Sequence, residues 1–408
     1  MTQQNDTMPR TSSTGALAGI RVVEMGQLIA GPFCGKLLGE FGADVVKIEP
    51  PGSGDPLRNW RLIKDGTSVW WQVSSRNKRS VAVDLRQADG QDLALRLIAE
   101  ADVLIENFRP GTLEKWGMGW DELSKLNPGL VMLRISGYGQ TGPYRDLPGF
   151  GAIGEAMGGL RQLTGEPGRV PVRVGVSIGD TLAALHGTIG VLIALHHRQV
   201  NGGPGQVIDV ALHEAVFNVM ESLIPEYSAF GAVREAAGSA LPGIAPSNAY
   251  KCSDGDVLIA GNGDSIFKRL MDVIGRGDLG NAPDLGSNAG RVARVAELDT
   301  AIEAWTVGRS VADVLAALGA AKVPAGKVYT AKDIHEDPHY RARDMIVPQA
   351  TRDGYTIDVP GVVPKLSATP GTIRSSAPHI GDDTDAVLRE MGLSADNIAT
   401  LRSKGVIA

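Results

Sequence analysis

Apolar residues in the first third of the chain follow two alternating rhythms. Short, nearly continuous runs rich in valine and isoleucine, "GIRVVEMG", "ADVVKIEPP", "SVAVDL", "DVLIENF" and "LVMLRISGYG", are the pattern of strands covered on both faces. Between them lie "AGPFCGKLLGEFG", closed by Gly42, then "QADGQDLALRLIAEA" and "WDELSKLN", which read as helices. Strands separated by helices of about a dozen residues predict βαβ units, and so an α/β domain on a parallel sheet. Past Leu212 the pattern turns mostly helical. It changes again at "SNAYKCSDGDVLIAGNGD", which reads as two strands joined by a tight turn, an antiparallel hairpin. A helical stretch over 265–318 and then "VPAGKVYT" complete a smaller α+β domain. Turns, a short strand in "GYTIDVPGVVPKLS" and a final helix, "DDTDAVLREMG", close the chain. The organisation read this way is a polar tail over 1–15, a large domain over 16–225, a small domain over 226–330 and a C-terminal segment over 331–408.

One acidic residue interrupts the most apolar part of the sequence. In "VRVGVSIGDTLAALHGTIGVLIALHHRQ" a β-prone run gives way at Gly179 and Asp180 to a helical run. Asp180 stands where an N-cap belongs, accepting from the first-turn amides. It also stands where a strand leads into a helix, the place at which open α/β sheets build their sites. A helix start favours an ionised carboxylate, and an ionised, partly desolvated carboxylate can be a covalent nucleophile. Both readings stand on this stretch alone. The apolar run within Leu182–Leu195 is too short to cross a bilayer and reads as a helix buried on most sides.

Composition narrows the classes of function. The chain has 408 residues, 43% of them hydrophobic and 21% charged, with a net charge of −6, values suited to a soluble globular protein with two cores. Its cations are scattered among more numerous acids, so neither a nucleic-acid nor an anionic-membrane surface is expected. Cys34 and Cys252 stand outside any CxxC pattern, which points to a reducing, cytoplasmic setting and away from structural zinc or disulfides. The segment "HEDPH", His335–His339, matches a zinc-protease motif in form, but Pro338 would break the helix that the motif requires. There is no P-loop, and the glycines of "EPPGSGDPLRNW" do not match GxGxxG.

Several loops after predicted strands carry candidate chemistry. "EPPGSGDPLRNW" could present glycine-loop amides to a phosphate. "SSRNKRS" gathers three cations, as a phosphate partner or simply a solvated turn. "ENFRPGTLEKWG" offers Asn107, Arg109 and Lys115, and "ISGYGQTGP" opens into a glycine turn bearing Tyr138. These last two loops and Asp180 would face one edge of a parallel sheet. "AGNGDS", in the small domain, is either a lid or a turn.

In this order, "AGPFCGKLLGEFGADVVKIEPPGSGD", "RNKRSVAVDL", "ENFRPGTLEKWGMGWDEL", "ISGYGQTGPY", "VGVSIGDTLAALHG" and "GGPGQVIDVAL" resemble the class III, or CaiB/BaiF type, CoA-transferase family. That family includes formyl-CoA transferase and succinyl-CoA:dicarboxylate relatives. The resemblance implies a Rossmann-like large domain built from both ends of the chain, a small domain, and two chains interlocked as a homodimer. It implies a nucleophilic aspartate at Asp180, which forms an anhydride with the donor acyl group and then a thioester with CoA. It implies an acyl-CoA and a small carboxylic acid as substrates, with no permanently bound cofactor and no metal. CoA would lie along Ile29, Ala30, Pro50, Val83, Asp84, Leu85, Arg86, Asn107, Phe108, Arg109, Lys115, Ser136, Gly137, Tyr138 and Gly139. Formyl-CoA transferase has glutamine and arginine where Ile29 and Pro50 stand, so contacts there would be backbone or apolar. The family's active-site loop corresponds to Gly261, Asn262 and Gly263. Racemases on the same fold place a histidine where Phe150 stands and a glutamate in the small-domain loop, both absent here. Racemisation needs bases on both faces of a carbon, so transfer is the expected reaction; a non-catalytic CoA-binding protein with Asp180 as a cap is the other alternative. Succinyl-CoA as donor and a dicarboxylate as acceptor are expected, with Arg58, Arg76 and Arg173 as candidate partners for a distal carboxylate.

Overall fold

The computed structural model describes residues 14–408, and the predicted tail lies outside the described residues up to position 13. The chain divides into two compact units: one takes residues up to Arg161, Arg173–Gly231 and Arg341–Ala408, the other Gln162–Val172 and Ala232–Tyr340.

The first unit is built on a six-stranded parallel sheet. β1 (Arg21–Glu24) leads through α1 (Ala30–Glu40) to β2 (Asp44–Glu49). β3 (Lys78–Ala82) leads through α2 (Ala88–Ala99) to β4 (Val103–Glu106). β5 (Val131–Ser136) reaches β6 (Val207–Ala211) through α3 (Gly151–Met157) and the 24-residue α4 (Ile178–Asn201). The spatial order is β3-β2-β1-β4-β5-β6. That order reverses between β1 and β4, so the loops leaving these two strands diverge and open a crevice at the carboxyl edge. The valine-rich strands predicted two covered faces, and each face has its own core. Val46, Leu104 and Met132 pack on one side, and Val45, Ile105 and Leu133 pack with Ala183 and Val191 of α4 on the other. Past β6, α5 (Leu212–Phe217) lies against α3 and α4.

The second unit holds the predicted hairpin, β7 (Ser247–Lys251) and β8 (Asp256–Ala260), with β9 (Ala325–Lys327) on the other side of β8. α6 (Asp264–Val273) and α7 (Val295–Thr306) fill its core with Phe267, Leu270, Leu298 and Ile302. The chain then returns to the first unit. The hairpin β10 (Ile346–Ala350) and β11 (Thr356–Pro360) is followed by α8 (Thr384–Glu390) and α9 (Ala395–Ser403). Val387, Ile398 and Ile407 from this segment join the core on one face of the sheet.

Four expectations need correction. "RVGVSI" forms no strand, because no neighbouring strand pairs with it among the described residues, and β-propensity without a partner fixes nothing. The last helix is α9, beyond the predicted one. α4 is 24 residues, and among the described residues it is the one helix long and apolar enough to cross a membrane by length and composition. It is not buried on most sides: one face lies on α1, β5 and β6, while Leu185, Ile189 and Ile193 on another are 41%, 55% and 63% exposed.

The fourth correction concerns "SSRNKRS", which is neither a solvated turn nor a free phosphate site. Arg76 is fully buried and donates to Glu40 Oε1 (2.7 Å). Lys78 is buried and bonds Glu24 (2.8 Å) and the Pro32 carbonyl (2.7 Å). Glu24 also takes Lys47 (2.9 Å), which in turn reaches Asp55 (2.9 Å) and the Gly26 carbonyl (2.7 Å). Burial pulls both ammonium groups towards neutrality. For Lys47 the carboxylates of Asp55 and Glu24 more than offset it and raise the pKa, whereas Lys78 is left lowered. A buried pair that loses one partner leaves an uncompensated charge, so Glu24→Gln is expected to cost about 3–5 kcal/mol in urea unfolding. A loss below about 1 kcal/mol, the value of an exposed pair, would contradict this.

Candidate functional site

The crevice at the strand reversal is shaped by two loops that hold each other. Asn107, just past β4, accepts from the Gln27 amide (2.8 Å) and donates to the Gln27 carbonyl (2.8 Å). Leu28 takes a left-handed backbone, φ +64°, which costs a non-glycine residue about 1–3 kcal/mol. Its amide is held by the buried Asp55 carboxylate (3.0 and 3.2 Å), so the ion network under the sheet offsets the strain. Glu106 accepts from the Phe108 amide (2.8 Å) and from Arg134 (2.7 Å), fixing the other loop. At the end of β5, Ser136 Oγ accepts from the Gly139 amide (3.0 Å). Gly137 and Gly149 meet backbone to backbone; a Cβ on Gly137 would lie 2.9 Å from the Gly149 Cα.

These loops enclose a cavity of about 200 Å³, and Asp180 is in its wall. It brings together Asp180 with seven of the predicted CoA contacts: Ile29, Ala30, Asn107, Phe108, Arg109, Ser136 and Gly137. The others lie outside its lining. Pro50 and Val83–Arg86 follow β2 and β3 on the same edge, but Val83 is buried in a bridge to Ile407, and Asp84 and Arg86 are bound to each other. Lys115 ends a short helix, Thr112–Lys115, and Tyr138 stacks edge-on against Tyr144. Gly139 continues the turn with φ +87°. The amides of Ser53 and Gly54 are taken by Pro51 and Pro50 carbonyls, so that loop offers no free phosphate cradle.

Asp180 is not the cap of α4. It is the third helical residue, and Ser177 holds the cap position without a side-chain cap bond. The amide of Gly179 points to Glu155 of α3 (3.5 Å). The Asp180 carboxylate packs directly over Gly151, where a Cβ would lie 2.1 Å from its Oδ2. Burial first, and then the nearby Glu155 carboxylate, push the Asp180 carboxyl up to about 6, with Arg173 pulling the other way. The expected stabilisation of the anion by the helix start is thus outweighed by lost hydration. The group is still ionised at neutral pH, yet it is more basic than a solvated carboxylate.

The distal-carboxylate candidates separate sharply. Arg58 is buried against Glu49 (2.7 Å) and Arg76 against Glu40, so neither is available to a ligand. Arg173 is exposed and donates to the Ser177 hydroxyl (3.0 Å). Gly261, Asn262 and Gly263 precede α6 in the second unit, where the buried Arg291 binds the Asn262 carbonyl (2.7 Å) and Pro246 takes the Gly261 amide (2.9 Å). "HEDPH" is split between two helices at Asp337. Sequence reasoning missed Gln27, Leu28, Arg145 and Leu147 in the cavity wall, and Glu155 behind it. Only the spacing of "GFGAIGEAMGG", with glycines three and four apart, hinted that α3 packs closely on something.

The family model for CoA-transferase family III matches residues 17–384. The chain belongs to that family. It is 48% identical over 394 residues to the succinyl-CoA–D-citramalate CoA-transferase of Chloroflexus aurantiacus, covering 96% of this chain and 98% of that one. It is 45% identical over 406 residues to the succinyl-CoA–L-malate CoA-transferase beta subunit of the same organism, covering 98% and 100%. A crystal structure of a CaiB/BaiF family protein from Brucella suis superposes with a TM-score of 0.83 at 34% identity, covering 93% of this chain and all of that one. This chain is therefore a family III CoA-transferase with a crevice at its sheet's reversal point.

The raised carboxyl has a consequence for stability in this transferase. A folded-state pKa above the ordinary aspartate value of 3.8 gives stability that is full below that value and is lost as pH rises through about 6. Asp180→Asn removes the penalty. At pH 8 the variant is expected to unfold with up to about 3 kcal/mol more free energy than the natural chain, from two pKa units at about 1.4 kcal/mol each. The gain should shrink as pH falls from about 6 to about 4. Urea unfolding at several pH values checks this, and a gain independent of pH would contradict it.

Proposed function

We propose that this protein moves CoA from succinyl-CoA to a dicarboxylic acid of the citramalate or malate kind, with Asp180 as the covalent nucleophile. The observation that carries the reading is the half-buried, ionised and unusually basic Asp180 in the wall of the crevice formed by the predicted CoA loops. The printed substrates of the two Chloroflexus relatives support the choice of donor and acceptor.

The steps balance without a proton donor or a metal. An Asp180 carboxylate oxygen attacks the donor thioester carbon, the C–S bond breaks, and CoA leaves as thiolate from a mixed anhydride. The thiolate attacks the Asp180 carbonyl, the donor departs as its carboxylate, and CoA is held as an aspartyl thioester. The acceptor carboxylate attacks that thioester, and the released thiolate then attacks the acceptor acyl group. The new acyl-CoA forms and the Asp180 carboxylate returns. Desolvation raises the nucleophilicity of the carboxylate by removing waters that attack would have to displace. It also keeps bulk water from the anhydride, which water would hydrolyse.

Coenzyme A enters as substrate, and the reading needs no permanently bound cofactor, nucleic acid or membrane. Its acyl end lies in the cavity beside Ile29, Ala30, Asn107, Ser136 and Gly137, and its phosphates lie towards Arg109, Lys115 and the edge residues Pro50, Leu85 and Arg86. Arg173 is the partner for the acceptor's distal carboxylate, since its exposed guanidinium meets no carboxylate among the described residues within ion-pair range. The exposed apolar face of α4 supports an interlocked homodimer, as a surface of this kind is covered by a partner in stable assemblies. The setting is the cytoplasm, where succinyl-CoA and free thiols coexist.

The test is transfer by the natural chain and by Asp180→Ala, with succinyl-CoA as donor and C4 to C6 dicarboxylates as acceptors. The natural chain should make at least one new dicarboxyl-CoA. Asp180→Ala should lose transfer by at least about 10³-fold while still binding CoA, as expected for loss of a covalent nucleophile. Failure with every dicarboxylate, or retained transfer in the alanine variant, would overturn the reading.

A further inference from the structure

Glu155 is a buried carboxylate beside the nucleophile that none of the steps above uses. Its side chain is 1% exposed. It sits on α3 one turn beyond Gly151, the residue over which the Asp180 carboxylate is packed. Its Oε2 takes both Nε (3.1 Å) and Nη2 (2.9 Å) of Arg161, and its Oε1 faces the Gly179 amide, one residue before Asp180. α3 and α4 touch here with no spare room: a Cβ on Gly179 would lie 2.9 Å from the Gly151 carbonyl and 3.1 Å from Glu155 Cγ. One turn of α3 thus fixes the backbone before the nucleophile through Glu155 and the nucleophile's side chain through Gly151.

We infer that Glu155, with Arg161 behind it, is a positioning residue that both seats the start of α4 and drives Asp180 towards its covalent forms by like-charge repulsion. The inference rests on Asp180 being the nucleophile. When Asp180 is acylated its negative charge passes to the CoA thiolate, and when the thioester forms that charge leaves with the donor carboxylate, so Asp180 itself is neutral in both covalent forms. The repulsion from Glu155 is then relieved, so a fixed second carboxylate favours the anhydride and the aspartyl thioester over the free enzyme. Arg161 faces Glu155 from the far side and limits the repulsion; its side chain is 26% exposed and so remains partly hydrated. A cap alone would not require a charge, since a glutamine oxygen accepts from an amide equally well. The charged groups facing Asp180 are Glu155 from α3 and Arg173 from the segment before α4, with Arg109 and Arg145 in the wall of the same cavity.

Glu155→Gln and Arg161→Gln separate charge from capping because they act in opposite directions. The acid limb of kcat/KM reports the free-enzyme carboxyl. It should move to lower pH in Glu155→Gln, by roughly half to one unit, and to higher pH in Arg161→Gln, as removal of a like charge and of its neutralising partner requires. With succinyl-CoA and no acceptor, the fraction of enzyme trapped as aspartyl thioester should fall in Glu155→Gln, with KM for the acyl-CoA unchanged. If the thioester forms in the natural chain but neither acid limb moves in variants that fold, Glu155 is only a cap and the inference fails. If Glu155→Gln does not fold, Arg161→Gln alone decides through the direction of its shift. If the natural chain forms no thioester at Asp180, the transferase reading itself is what has failed.

Discussion

Glu24 ends β1 inside the sheet and holds two buried lysines, Lys47 from β2 and Lys78 from β3. Three strands are thereby tied at one point beneath α1, whose Pro32 carbonyl takes the far side of Lys78. Such pairs add little net stability against a well-packed apolar core. Their value here is positional. Lys47 and its partner Asp55 hold the Gly26 carbonyl and the Leu28 amide, so the strained turn after β1 has one conformation. Asn107 carries that order to the loop after β4, and the two loops define the crevice.

Asp180 enters this crevice from a different element, at the start of the long helix α4. Two effects compete there. A helix start draws negative charge by a few tenths to one kcal/mol at exposed sites, while burial in a close-packed wall repels it more strongly. The outcome, a carboxyl raised to about 6 and still ionised at neutral pH, suits a group that must attack a thioester without help from a general base. The close fit of Gly151 against the carboxylate leaves the nucleophile little room to turn away, which is the geometric share of its reactivity.

How much of this was legible in the sequence depended on whether the controlling interaction was local. Strands such as "VVKI" and "VMLRI", and the helices between them, followed from apolar rhythm, because both faces of a parallel sheet are buried. Gly42, at φ +108°, ended α1 as its position in the sequence implied. The "SDGD" turn was likewise readable from its own residues. "RNKRS" was not: its cations looked solvated because their partners, Glu24 and Glu40, are 54 and 36 positions away. "RVGVSI" had strand propensity but no pairing partner. The cap reading of Asp180 failed by three residues, since α4 begins at Ile178 and the capping acceptor is supplied by α3. Of the predicted CoA contacts, seven from the loops after β1, β4 and β5 line the cavity with Asp180, because strand order places the first two loops at the reversal and the third beside them. Glu155 had no sequence signature, as its role arises only where α3 crosses α4.

The proposed transfer passes through covalent attachment of CoA to Asp180. The most direct measurement is to mix the protein with succinyl-CoA without an acceptor, quench, and map the mass change by peptide mass spectrometry, with borohydride reduction as a check on the thioester. The expected result is an increase equal to CoA less water on the peptide holding Asp180, converted by borohydride to the alcohol. An unmodified Asp180 under conditions in which CoA is being transferred, or CoA attached to another residue, would contradict it.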